Sequence, residues 1–282
     1  MTKVVTTCLA LALATGAAAA VSPLEVTKLP RPAWNRASAP GPSARVRLTL
    51  VSSRPNAITD VRAWFARNKL DLALDRIPGG FDSGLPLHPL PAGTPSSFRG
   101  KRLIRAIRQP RRLLLVYGRD FASGRYLIGR TAGRPQYGFD FLSYAYAPRI
   151  APGEREFVFQ TPTWAVEAGG TLYVSHSHST YARSSEGLNG YVTAIDIARR
   201  TVRWRSRPLV ANAETFVLAG DVIVTGYGFA REPDYLYLLD RETGRVLQRL
   251  RVPSRAEYIV RKGNILHVRT YDRDLVVRLA KR

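Results

Sequence analysis

Three stretches in the C-terminal half of the chain can be laid on one another. They are Val166-Glu-Ala-Gly-Gly170-Thr-Leu-Tyr-Val174, Phe216-Val-Leu-Ala-Gly220-Asp-Val-Ile-Val224 and Ile259-Val-Arg-Lys-Gly263-Asn-Ile-Leu-His267. Each runs from an apolar strand through a glycine-marked tight turn into a second apolar strand. Glycine suits such a turn because it takes positive φ without a steric penalty. Aligning Gly170, Gly220 and Gly263 puts Trp164, Glu214 and Glu257 in one register, at the start of each first strand.

A second marker follows in the third strand of each unit. Tyr191-Val-Thr-Ala-Ile-Asp196-Ile-Ala-Arg-Arg200 sits beside Tyr235-Leu-Tyr-Leu-Leu-Asp240-Arg-Glu-Thr243-Gly244. Upstream, Leu115-Val-Tyr-Gly-Arg-Asp120-Phe-Ala-Ser123-Gly124 reads as the same turn. An Asp there accepts backbone N–H bonds across the turn, and Gly takes the left-handed position. Arg200 stands in for that glycine in one copy, at a cost of about 1 kcal/mol. These aspartates read as turn-makers rather than catalytic acids.

Asp196 and Asp240 are 44 residues apart, and four short strands per roughly 40–50 residues is the blade period of a β-propeller. The fold expected is mostly β: a small propeller of about five four-stranded antiparallel blades, four to six being allowed, with a short helical N-terminal segment. Asp120 lies 76 residues before Asp196, close to two periods, which leaves room for an irregular blade over 125–160. The last unit, 256–282, holds only three strands. The alternating segment Arg45–Val51 supplies a fourth and closes the ring.

The pattern strand-Asp-x-x-[Ser/Thr]-Gly-x-Val, with Trp204 eight residues past Asp196, resembles the repeat of quinoprotein-like (PQQ-like) β-propellers. The resemblance covers 161–282 and, more weakly, 111–131. It implies the fold and leaves function open, because the repeat serves enzymes and interaction modules alike. The chain is much shorter than the rings of the quinone-dependent dehydrogenases. It lacks their adjacent cysteines, and no calcium-binding Asp/Glu/Asn set can be matched. No cofactor is expected, PQQ included.

Residues 1–20 read as a secretory signal: Lys3, the apolar run Val4–Ala14, and Ala18-Ala19-Ala20 before a cleavage point at Val21. The only cysteine, Cys8, falls inside it, so the exported chain is expected to carry no disulfide, thiolate metal site or cysteine nucleophile. A proline-rich lead-in, 21–44, precedes the propeller domain at 45–282, whose insertion at 56–98 begins with a helix. Asn56 or Thr59 is its N-cap, Ile58, Val61, Phe65 and Leu72 lie along it, and Pro78-Gly79-Gly80 ends it. Beyond the signal no stretch is long enough to span a membrane.

Lys and Arg number 43 against 21 Asp and Glu, a formal net charge of +22, and all but six of the cations are arginine. That surplus favours polyanionic partners, such as an anionic envelope polymer, lipid or carbohydrate. It also fits the arginine-heavy codon usage of a GC-rich genome. A protein partner is allowed, nucleic acid is not expected in an exported chain, and the chain is read as a monomer. Arg102, Arg105, Arg108 and Arg112 make one stripe if Arg99–Arg112 is helical. The stripe is either a solvated face or an anion-binding patch.

The loops between second and third strands, with the inter-blade loops, form the candidate rim. Trp164, Glu214 and Glu257 would face the channel mouth. His176 and His178 share a strand face and could meet a metal with Asp140, Glu167, Glu186 or Asp234 as a further ligand, but no spacing supports it. Both extend the apolar face of Leu172 and Val174, which favours hydrogen-bonded blade packing, and no metal is predicted. Tyr181, Tyr227, Arg231 and Asp234 form an aromatic, charged loop pair suited to sugar or peptide. No P-loop, dinucleotide fingerprint or nucleophile elbow occurs. The function expected is a non-catalytic binding module outside the cytoplasm. The alternatives are a glycosidase or lyase using Glu214 and Glu257, or a quinone-dependent dehydrogenase.

Overall fold

In the computed structural model, residues 24–34, 45–56, 61–80 and 84–281 are described. The signal-like segment with Cys8, and Ile58 and Thr59, lie outside them. Four antiparallel sheets follow one another along the chain. Blade 1 is Lys101–Gln109, Arg112–Gly118, Gly124–Thr131 and Arg134–Asp140. Blade 2 is Thr161–Ala168, Thr171–Ser177, Tyr191–Asp196 and Thr201–Arg205. Blade 3 is Val217–Ala219, Val222–Tyr227, Tyr235–Asp240 and Val246–Arg251. Blade 4 is Ala256–Lys262, Ile265–Thr270 and Arg273–Lys281, completed by Val46–Pro55. The fold is mostly β and propeller-like, with four blades among the described residues.

The count is one below five for a definite reason. Asp120 sits between the second and third strands of blade 1, whereas Asp196 and Asp240 sit between third and fourth strands. The equivalent turn of blade 1 is Thr131–Arg134. Asp120 makes the same local bonds, accepting the N–H of Ala122 at 3.0 Å, because an Asx turn is indifferent to which hairpin holds it. Residues 125–160 thus hold the outer half of blade 1 and a long inter-blade loop, not a separate blade.

Each blade joins the next through side chains. Gln109 bridges blades 1 and 2, donating to the Ala165 carbonyl and accepting from the Glu167 N–H. Arg241 donates to Tyr173 Oη and the Ala168 carbonyl, tying blade 3 to blade 2. Thr215 exchanges two bonds with Ile259, one blade on. Gln248 does the same for the outer strands, accepting from Leu48 N–H at 2.7 Å and donating to its carbonyl at 2.9 Å.

The joint between blades 4 and 1 is filled by the insertion. Helix α1, Val61–Asn68, buries Trp64 and Phe65. Phe65 meets Tyr258 of blade 4 edge-on at 5.7 Å, and Leu74 bridges to Ile107 of blade 1. The helix stops at Asn68, not at Pro78: Lys69 turns left-handed at φ 52°. The lead-in is not merely extended either. Val26–Lys28 adds a parallel strand outside blade 1, and Trp34 lodges against Tyr191 of blade 2. The insertion and lead-in side chains enter the same apolar clusters as the blades. No described helix is long and apolar enough to cross a membrane.

Candidate functional site

The second–third loops and the inter-blade loops make one end of the molecule, called here the upper rim. The tight first–second and third–fourth turns make the lower rim. The basic segment 99–112 is a β-hairpin, not a helix, so the four-arginine stripe does not exist. A bulge at Ile104 sends its arginines to different places. Arg102 lies at the upper end of the strand. Arg105 reaches Glu214 at 3.1 Å. Arg108 and Arg112 descend to the lower rim.

There they meet Arg111 and Arg130 around an open cleft of about 290 Å³. Pro91, Ala92 and Thr94 of the insertion form the facing wall, and no carboxylate lines it. Arg108 donates to the buried carboxylate of Asp75 at 2.8 Å and to the Pro89 carbonyl at 2.8 Å. Burial pushes the Asp75 carboxyl up against the pull of Arg108. Arg112 binds Glu167 at 2.7 Å and lies over the Tyr137 ring. The Tyr137 hydroxyl donates to the same carboxylate at 2.6 Å, and burial with that neighbour drives the phenol well above its usual range. Arg130 is held by the carbonyls of Gly93 and Gly133. Three of the four guanidinium groups are thus anchored, and Arg111 is exposed at the turn. Anchored forks with unused N–H groups suit bidentate binding of carboxylate, sulfate or phosphate.

On the upper rim the channel-mouth register shifts by one residue. The pairs Ala168 with Thr171, Ala219 with Val222 and Lys262 with Ile265 close the three hairpins, so Gly169, not Gly170, matches Gly220 and Gly263. Trp164 therefore corresponds to Thr215 and Tyr258, and Thr163 to Glu214 and Glu257. A one-residue slip turns a side chain to the opposite face. Trp164 is buried in the main core, away from the predicted acidic register. Glu214 and Glu257 do adjoin, with the Glu214 N–H donating to the Glu257 carbonyl at 2.8 Å. Arg105 and Arg255 bracket the Glu214 carboxylate, at 3.1 and 3.7 Å. Burial raises the Glu257 carboxyl.

The two histidines do not converge on a common point. His176 is fully buried, 2.8 Å from Thr193 Oγ1 and stacked on Tyr191. His178 lies 2.7 Å from Ser185 Oγ. Burial holds His176 far below its usual range and His178 down at about 4, so both are neutral near pH 7. No cluster of metal-binding side chains occurs among the described residues.

Tyr181 packs edge-on against Phe229, so the second–third loops of blades 2 and 3 touch. Glu232, which the sequence did not single out, joins them more firmly. It accepts from the Ala182 N–H at 2.6 Å and from the Tyr227 hydroxyl at 2.8 Å. Tyr227 is buried and spent on this link rather than offered to a ligand. Arg231 is exposed at the loop tip. Burial and the nearby Asp272 push the Asp234 carboxyl up to about 6.

Behind this rim Arg205 occupies a box of rings. Its guanidinium carbon lies 4.3 Å from the Trp34 ring centre, 5.0 Å from Tyr144 and 3.5 Å from Tyr191. Its buried nitrogens make no hydrogen bond among the described residues, and burial pulls its pKa down to about 10. The only sequence signal for this box was aromatic composition.

Neither a protein-family model nor a curated protein matches the sequence. Solved structures similar to it include the computationally designed Ika4 protein, at 10% identity over 65% of this chain and 94% of that one, with a TM-score of 0.40. BamB from Moraxella catarrhalis is 12% identical over 68% of this chain and 62% of its own, TM-score 0.35. A quinohemoprotein alcohol dehydrogenase from Pseudomonas putida HK5 is 13% identical over 58% and 27%, TM-score 0.38. The chain therefore spans less than two thirds of BamB and about a quarter of the dehydrogenase. The four-stranded antiparallel sheets in succession define the propeller-like fold.

Proposed function

We propose that this chain is an exported, non-catalytic binding module that holds an anionic polymer in the arginine cleft of blade 1. The observation that carries this reading is the cleft's wall: Arg108, Arg111, Arg112 and Arg130 with no carboxylate among the lining side chains. Arginine rather than lysine at every cationic position favours planar or forked anions, and the +22 net charge draws polyanions toward the molecule. The ligand class is a polymer bearing carboxylate, sulfate or phosphate groups, such as an acidic envelope glycan. Export rests on the signal-like pattern of residues 1–20. The reading calls for no cofactor, metal or reacting group.

The test is retention on immobilised heparin and on a polyphosphate resin across a salt series. Retention should fall steeply between roughly 50 and 500 mM salt as the charges are screened. Arg111→Glu with Arg130→Glu reverses two cations that hold no carboxylate, and should weaken binding at least tenfold with an unchanged circular dichroism spectrum. Wild-type retention by that variant would remove the cleft from the function.

A further inference from the structure

Six large hydrophobic side chains stand more than a third exposed among the described residues: Leu50, Val51, Phe121, Leu142, Phe157 and Tyr271. Leu50 and Val51 lie at the bulge of the outermost strand of blade 4. The other four all belong to loops of the upper rim. Phe121 is in the second–third loop of blade 1, and Leu142 and Phe157 are in the loop from blade 1 to blade 2. Tyr271 is in the second–third loop of blade 4. Three of these four, Phe121, Leu142 and Phe157, belong to segments of blade 1 and the loop that leaves it.

The blade 1 part of this rim also carries charge of one kind. Leu142 lines an open cleft of about 460 Å³ together with Lys101, Arg119, Arg125 and Arg155, against Glu156 alone. Tyr146 and Phe159 form its aromatic floor, meeting edge-on at 5.4 Å, and Arg155 lies over Tyr146 at 4.5 Å. Arg119 is ion-paired to Asp120 and Arg125 to Asp140. Lys101 and Arg155 have no carboxylate within ion-pair distance among the described residues. Phe121 lies between the lining residues Arg119 and Ser123, and Phe157 between Glu156 and Phe159, so both exposed rings belong to segments that line the cleft.

We infer that this rim docks onto the surface of a bilayer containing anionic lipid. The exposed Phe121, Leu142 and Phe157 enter the boundary between headgroups and acyl chains, and Lys101 and Arg155 engage lipid phosphates beside them. A dissolved polyanion would use the cations and leave the rings in water. A bilayer uses both, because apolar insertion and attraction to anionic headgroups add at an interface. The face is opposite the arginine cleft, so neither site depends on the other.

The experiment is co-sedimentation of the full exported chain with phosphatidylcholine vesicles prepared with and without phosphatidylglycerol. Binding is expected to the anionic vesicles, weakened at least tenfold by Leu142→Ser with Phe157→Ser, and equally by Lys101→Glu with Arg155→Glu. Both apolar substitutions are at exposed positions, so their thermal unfolding should match wild type, and their heparin retention should be unchanged. Arg111→Glu with Arg130→Glu should leave vesicle binding within twofold. Three outcomes overturn the inference: no binding to anionic vesicles, undiminished binding by the Leu142/Phe157 variant, or loss of binding in the Arg111/Arg130 variant. The last would assign vesicle binding to the arginine cleft instead.

Discussion

Arg205 finds no hydrogen-bond acceptor among the described residues, yet it is ringed by three aromatic faces. A desolvated cation–π contact is worth about 2 kcal/mol or more, enough to offset part of the cost of taking the guanidinium out of water. Its charge in turn helps keep His176 neutral, adding to the effect of burial. The histidines set a response to acid. The unfolded chain protonates His178 near pH 6.5, the folded chain only near 4. Acid therefore favours the unfolded state, and on the order of 3 kcal/mol should be lost as pH falls from 6.5 toward 4. Thermal melts between pH 7.5 and 4 should show this decline, and His178→Gln should make it shallower, the remainder coming from the buried His176. An unchanged slope in that variant would place the acid sensitivity elsewhere. The shared strand face of the two histidines was legible in the sequence; their separate hydroxyl partners were not, since Thr193 and Ser185 lie on other segments.

At the scale of the hairpin and the blade, local chemistry was legible and register was not. Asp196 and Asp240 do close their turns. Asp196 accepts the Arg199 N–H at 2.8 Å, and Asp240 accepts the Thr243 N–H and hydroxyl at 2.8 and 2.7 Å. Arg200 does take the left-handed place at φ 56°. Two adjacent glycines at 169 and 170 gave no means of choosing between registers, and the wrong choice put Trp164 on the wrong face. Long buried strands such as Thr171–Ser177 remove the polar alternation that would have corrected it. What sequence could not supply was the neighbour across each joint. Gly244 is left-handed at φ 70°, and a Cβ there would clash with the ring of Trp204 in the previous blade. Gly220, at φ 64°, has open space around it. Gly244→Ala should therefore cost about 2–4 kcal/mol, strain plus overpacking, against about 1 for Gly220→Ala. Urea unfolding of the pair measures the difference. Equal losses would mean that the blade 2–3 joint does not press on the turn.

The whole molecule is held in a ring by an early strand pairing with the last one. Val46–Pro55 runs antiparallel to Arg273–Lys281 along its full length, as the three-strand tally of the final unit anticipated. Leu48 sits in the core between blades 3 and 4, with its backbone clasped by Gln248. Leu48→Ala should lower stability by about 2–5 kcal/mol in one cooperative transition. A separate early transition for blade 4 would show instead that the ring opens before it unfolds. The wedge of α1 and Leu74 between blades 4 and 1 was less legible, because the insertion shares no repeat with the blades. Its helical period suggested an element and nothing about where that element docks.

The closing clasp has a consequence for how the chain is born. Leu48 leaves the ribosome 200 residues before Gln248, the side chain that holds it. Until the last strand follows, blade 4 has no partner for its outer strand and exposes a bare edge. Contacts so distant along the chain fold slowly, since the loop between them must first be closed. A nascent chain therefore cannot close blade 4 until Arg273–Lys281 has been made, and the outer strand waits unpaired while the three blades between the two ends of the clasp are synthesised.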